Sequence, residues 1–142
     1  MREKQETKQT EIPKGATTPS KFSFKDLTVW QKAVSFSEHV IRTIDELETP
    51  RKHFRLVEQL EAACTSVPMN IAEGKGRQTT KDYIHFLYIA RGSLFEVITL
   101  LVILKDLEWI KEEKLKDLEY EAEEITKMLN AMMKSLKHRT MA

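Results

Sequence analysis

Cysteine is almost missing from this chain of 142 residues. The one present, Cys64, rules out an internal disulfide framework. It lies on an apolar stripe and reads as a small core residue, not a reactive thiol. Glycine and proline number four each, and most stand between or outside the helical patterns. No segment alternates with period two, so no sheet is expected, and no internal repeat is visible. Neither sign of charge prevails: 23 Lys and Arg face 22 Asp and Glu, for a net +1. That balance argues against a generic polyanion binder, though not against a local basic patch. The apolar run Val97 to Leu104 is well short of the ~20 residues that span a bilayer. The N-terminus has no apolar segment of the secretory kind. A cytoplasmic protein with no membrane association is expected.

What is present is helical periodicity. Residues 1–21 are polar and read as a flexible arm, because they hold too little apolar surface to offset ordering entropy. Residues 22–138 read as one domain. A first helix, from about Lys25 to Glu46, carries Leu27, Trp30, Val34, Ile41 and Ile44 on one stripe, with Ser37 in its gap. Ala33, Val40 and Leu47 widen it, and Val29 and Phe36 widen another side. Ser23 is the expected N-cap, with Asp26 three residues on. Thr49-Pro50 ends the segment. A second helix starts near Arg51 and carries Phe54, Val57, Leu60, Cys64, Val67 and Ile71. Pro68 falls inside it and should kink it, with Ser66 or Thr65 satisfying the freed carbonyl. Gly74 and Gly76 should then end it through a left-handed exit.

A third helix opens at Thr79 or Thr80, with Thr79 and Asp82 resembling a capping box. Its first stripe is Tyr83, Leu87, Ala90, Leu94, Val97, Leu101 and Leu104. A second is Ile84, Arg91, Phe95, Ile98 and Val102. Two stripes exceed what one small bundle buries, so Phe95, Ile98 and Val102 are expected at an interface between copies of the chain. Trp109 and Ile110 mark the next turn. The fourth helix, about Lys111 to Lys137, runs Leu115, Leu118, Ala122, Ile125, Leu129, Met132 and Leu136 at alternating steps of three and four. The prediction is an all-α, antiparallel up-down-up-down four-helix bundle that forms a homo-oligomer.

Chemistry-bearing patterns are sparse. Gly74-Lys75-Gly76-Arg77 lacks the phosphate-loop spacing and follows a helix, not a strand. A di-metal bundle site needs two Glu-x-x-His motifs, and only Asp82-x-x-His85 comes near. His39, His53 and His138 read as isolated surface residues. No catalytic set, metal site or cofactor is expected, and the protein reads as non-enzymatic. Asn70, Glu73, Arg91, Ser93 and Glu96 read as a buried polar network that fixes helix register. Gly92 fits that reading by allowing another backbone to approach closely.

Charge distribution is the best functional pointer. The expected topology gathers Lys21, Lys25, Lys75, Arg77, Lys81, Lys134, Lys137 and Arg139 at one end, opposed mainly by Asp26, Glu73 and Asp82. Lys25, Lys75, Arg77, Lys81, Lys134, Lys137 and Arg139 are therefore candidate contacts to RNA or DNA through phosphate. The competing account is that these side chains complement helix C-termini and solubilise the end.

Three stretches carry a resemblance. They are Phe24-Lys25-Asp26-Leu27-Thr28-Val29-Trp30-Gln31-Lys32-Ala33, then Ser66-Val67-Pro68-Met69-Asn70-Ile71-Ala72-Glu73-Gly74-Lys75-Gly76-Arg77, then Tyr83 to Glu96. The chain resembles the four-helix bundle proteins first noticed as products of intervening sequences in large-subunit ribosomal RNA genes. The family often has Ala where this chain has Met69, and Gly near the turn where it has Glu108. The resemblance implies a ring, in family members a homopentamer. A related branch, the accessory proteins of diversity-generating retroelements, engages a reverse transcriptase and nucleic acid. This sequence looks closer to the intervening-sequence branch, whose biochemical role is not established. The expected role therefore rests on the charge distribution: a non-enzymatic oligomeric scaffold or adaptor that binds RNA or DNA through a basic rim. The alternative is a protein-interaction scaffold, for example a reverse-transcriptase accessory protein, without direct nucleic-acid binding.

Overall fold

The structure, a computed structural model, describes residues 21–47 and 53–140. The expected arm before Lys21, the Thr49-Pro50 stop, and Glu48, Arg51 and Lys52 lie outside the described residues. Four helices follow in order: α1 (Thr28–Asp45), α2 (Phe54–Lys75), α3 (Thr80–Asp106) and α4 (Glu112–Thr140). At 1.5 Å per residue they are about 27 to 44 Å long. Each helix packs on its two neighbours, α1 on α2, α2 on α3, α3 on α4 and α4 on α1.

Side-chain pairs show the antiparallel register. From Lys32 to His39 on α1, the α4 partner retreats from Glu124 to Glu121. From Gln59 to Ser66 on α2, the α3 partner retreats from Glu96 to Ser93. From Tyr88 to Arg91 on α3, the α4 partner retreats from Lys137 to Asn130. The chain therefore runs up, down, up and down. α3 is long and apolar enough to cross a membrane by length and composition. Here it is a core helix between α2 and α4, with Leu87, Ala90, Leu94, Val97, Leu101 and Leu104 fully buried. Those are all members of the first stripe expected for it, and each buried Leu or Val is worth about 1.5–3 kcal/mol.

Several expectations need correction. Ser23 does not cap a helix. Residues Ser23–Asp26 form a separate 3-10 turn, and α1 starts after extended Leu27. Two stripes of α1 compete for the core: Val29, Ala33, Phe36 and Val40 are buried, and of the expected stripe only Ser37 and Ile44 are buried with them. Leu27, Trp30 and Ile41 flank it, half-buried. Phe54 opens α2 at 66% exposure and lies outside the core. On α4 the buried residue after Leu129 is Met133, and Met132 flanks it. A straight helix drifts against a strict 3.5-residue repeat, which moves the seam by one position here.

Two helix ends also differ from expectation. Gly76 ends α2 with φ −82°, an ordinary helical value. Gly74 is buried inside the helix instead. A Cβ there would stand 2.9 Å from Cβ of Phe86 and 3.2 Å from the Tyr83 carbonyl oxygen. This glycine lets α2 and α3 approach, whereas Gly92 has nothing within 4 Å of an added Cβ. The left-handed residue is Glu108, at φ 63°. Its N–H bonds the Lys105 carbonyl and the Trp109 N–H bonds Leu104, both at 2.9 Å. This pair of bonds is a Schellman exit built without glycine. Thr79 caps α3 as expected, accepting from the Asp82 N–H at 3.1 Å.

Candidate nucleic-acid interface

Up-down-up-down topology brings together the 3-10 turn, the end of α2, the start of α3 and the end of α4. Lys25, Lys75, Arg77, Lys81, Lys134, Lys137 and Arg139 are all exposed there. An aromatic chain anchors the 3-10 turn, with Phe22 5.9 Å from Phe24 and Phe24 5.3 Å from Trp30 between ring centres. The Gln31 side chain donates to the Lys25 carbonyl at 2.8 Å, which ties this turn to α1. Phe24 borders a groove with Met69, Ala72 and Glu73 of α2 and with Gly76 and Arg77 just after it.

The cations differ in how they are held. Arg77 stacks over the Phe86 ring, its guanidinium carbon 4.5 Å from the ring centre, and pairs with Glu73 at 2.6 Å. Lys137 donates to the Tyr88 hydroxyl at 2.5 Å. Among the described residues, Lys75, Lys81, Lys134 and Arg139 have no carboxylate partner. Such side chains keep their full field for an incoming anion. The opposite end mixes Asp45, Glu46, Asp106, Glu108, Glu112 and Glu113 with Arg55, Lys105, Lys111 and Lys114. The bundle thus has one basic end.

The expected single polar network does not exist. It divides into separate contacts. Asn70 donates to the Ser66 carbonyl at 2.8 Å and to the Ser66 hydroxyl at 2.9 Å, and that hydroxyl lies 2.8 Å from the Ser93 hydroxyl. This half-buried trio pins α2 to α3. Glu73 goes to Arg77 instead. Arg91 donates to Asn130 Oδ1 on α4 at 2.9 Å, and Glu96 accepts from Gln59 at 3.1 Å. Ser66, Gln59 and Asn130 are members that the sequence reading missed. Their helical offsets from the named residues were visible, but the rotation of each helix was not. The histidines are also less isolated than expected. His39 lies 2.7 Å from Glu121, and the His53 ring is 4.9 Å from Trp109.

The surplus apolar stripe of α3 is real. Phe95 is 52% and Val102 36% exposed, and Ile98 is half-buried against the core. Ile89 and Ile103 are exposed as well. With Gly92 between them, they place the apolar outer face slightly nearer α2 than the expected stripe. Burial raises the Tyr83 phenol's pKa, while Lys137 lowers that of Tyr88, first by its hydrogen bond and then by its charge.

The comparisons agree with this architecture. A crystal structure of a protein with unknown function from the S23 ribosomal protein family of Bacteroides thetaiotaomicron superposes with a TM-score of 0.70. It is 27% identical, and the match covers 75% of this chain and 99% of that one. No match was found among curated proteins. The family model described as 23S rRNA-intervening sequence protein matches residues 25–131, which span all of α1, α2 and α3 and most of α4. The chain belongs to the 23S rRNA-intervening sequence protein family.

Proposed function

We propose that the protein is a non-enzymatic scaffold that assembles into a homo-oligomeric ring, a pentamer as the resemblance implies, and holds RNA or DNA on its basic rim. The observation that carries this reading is the set of exposed cations at one end of the bundle, with Lys75, Lys81, Lys134 and Arg139 lacking carboxylate partners among the described residues. A ring with aligned subunits repeats that end around one rim. Clustered cations gain affinity for phosphate by releasing counterions, so binding weakens steeply with salt. The exposed Phe95, Val102, Ile89 and Ile103 support assembly, since faces of this kind mark sites of protein contact.

The test is solution mass by light scattering, with and without a short RNA, at low and high salt. The expected result is a multimer whose mass rises with RNA only at low salt. Changing Lys75, Arg77 and Lys134 together to Glu should abolish binding and leave the multimer intact. Unchanged affinity in that variant would sink the reading. Phe95→Asp should dissociate the multimer without loss of helicity.

The apolar α3 face supports a second reading, a protein-interaction scaffold such as a reverse-transcriptase accessory protein. Binding of a protein partner that persists in high salt and requires residues before Phe22 favours it.

A further inference from the structure

A groove between α3 and α4 opens at the basic end. Tyr88 and Arg91 line it from α3, and Asn130, Met133, Lys134, Lys137 and His138 from α4. The α4 residues recur at steps of three and four and so share one face. The groove measures about 440 Å³. Four other surface grooves of comparable size each include at least one carboxylate, and among the described residues this one includes none.

Tyr88 is the aromatic residue of its lining. The Arg91 guanidinium carbon is 4.9 Å from the ring centre. The Lys137 ammonium is 5.0 Å from the ring centre but only 2.5 Å from the hydroxyl. Together these distances put Lys137 beyond the hydroxyl, near the ring plane, not over a face. One cation therefore lies against the ring, another holds its hydroxyl edge, and the residue keeps 39% exposure. Asn130 fixes the Arg91 fork by accepting one of its N–H groups. Met133 gives the groove an apolar floor.

We propose that this groove binds one nucleotide unit of a single-stranded nucleic acid, with the base on the Tyr88 ring and the phosphate at Arg91, Lys134 and Lys137. The inference rests on the reading of the basic end as a nucleic-acid interface, and it narrows that reading to a strand type. The groove volume falls in the range of about 300–1,000 Å³ of small-ligand pockets, which suits one nucleotide. A duplex keeps its bases stacked inside and presents only phosphates here, so the aromatic ring would add nothing. An unpaired base brings a π-face, and every base can stack on an aromatic ring beside a cationic backbone track.

The test uses fluorescence anisotropy on the full chain at low salt, with a 12-nucleotide oligouridine probe and a 12-base-pair RNA duplex. The wild type should prefer the single strand by about tenfold. Tyr88→Ala should weaken single-strand binding about tenfold and leave duplex binding unchanged, while Tyr88→Phe should retain the preference. Lys75→Gln with Lys81→Gln, outside the groove, should weaken both probes alike. In the wild type, photo-crosslinks from 4-thiouridine should map to Tyr88 or to residues 130–138, a readout that needs no variant. Equal affinity for the two probes, no effect of Tyr88→Ala, or crosslinks confined to residues 75–81 would each overturn the groove. The reading of the rim survives those results if the Lys75 and Lys81 pair still matters. Absence of binding to both probes overturns the two together.

Discussion

The Ser37 hydroxyl on α1 lies 2.7 Å from the Cys64 carbonyl oxygen on α2. Cys64 is four residues before Pro68, so its carbonyl is the one that loses a helical N–H partner to the proline ring. The same hydroxyl is 2.9 Å from the Ala33 carbonyl and shares its single proton between the two, with Cys64 the nearer. Both residues are buried. A defect that proline introduces in one helix is thus satisfied from the next. Thr65, an expected donor, bonds Glu61 instead, and Ser66 bonds within the Asn70 and Ser93 trio.

Ser37→Ala should therefore leave a buried carbonyl unsatisfied and destabilise the fold by about 1–3 kcal/mol. Pro68→Ala restores an N–H that can bond Cys64. In that background the cost of Ser37→Ala should fall to well under 1 kcal/mol, a coupling that urea melts of a double-mutant cycle can resolve. Additive effects would show that the hydroxyl serves Ala33 and not the proline defect.

The helices of this bundle were legible because their apolar steps repeat over many turns. α3 and α4 were read almost residue for residue. α1 failed where two stripes of equal spacing, one through Trp30 and one through Phe36, lie about 100° apart on one helix. Only packing against α2 and α4 decides between them. Ser37 and Cys64 belong to different helices, so their contact depends on rotation and height that periodicity does not specify. Gly76 looked like a left-handed exit and Glu108 did not, because the hydrogen bonds that set an exit are made by the main chain. The basic end was legible for the opposite reason. It needs only the order and direction of the helices, whereas the Tyr88 groove needs their rotation too.

Burial pushes the Cys64 thiol from its ordinary 9.0 up to about 11. Between those values the unfolded chain has given up a proton that the folded chain still holds. The unfolded state then binds fewer protons, so stability falls as pH rises from 9 towards 11 and is fully present below 9. Urea melts at pH 8 and pH 10.5 should show a larger loss for the wild type than for Cys64→Ala. A thiol reagent at pH 8 should react only as fast as the bundle opens. Equal pH dependence in the two proteins would contradict the burial argument.

The two glycines at the α2 end should respond in opposite ways. Gly74→Ala forces a methyl to 2.9 Å from Phe86 Cβ and 3.2 Å from the Tyr83 carbonyl. Overpacking of this kind costs about 1–3 kcal/mol, more than the roughly 1 kcal/mol that alanine gains in helix propensity. An added Cβ at Gly76 meets only carbonyls at 3.6 and 3.8 Å, and its φ suits any residue. Gly76→Ala should be neutral or stabilise by up to about 1 kcal/mol by restricting the unfolded chain. Thermal melts that rank the two variants the other way would overturn the close-approach role of Gly74.

Glu108 holds a left-handed conformation that costs an ordinary side chain about 1–2 kcal/mol. It also places a carboxylate beside the C-terminus of α3, where the helix dipole disfavours negative charge. Glu108→Gly removes both penalties and keeps the main-chain bonds to Leu104 and Lys105. Part of the gain is lost to the greater freedom of an unfolded glycine, about 0.5–1 kcal/mol. The net stabilisation should be about 0.5–1 kcal/mol, a rise in melting temperature of roughly 2–4 °C for a chain of this size. Glu108→Ala separates the causes, because it removes the charge and keeps the strained backbone. It should gain only a few tenths of a kcal/mol at this exposed site. If alanine stabilised as much as glycine, the charge and not the conformation would be what this turn pays for.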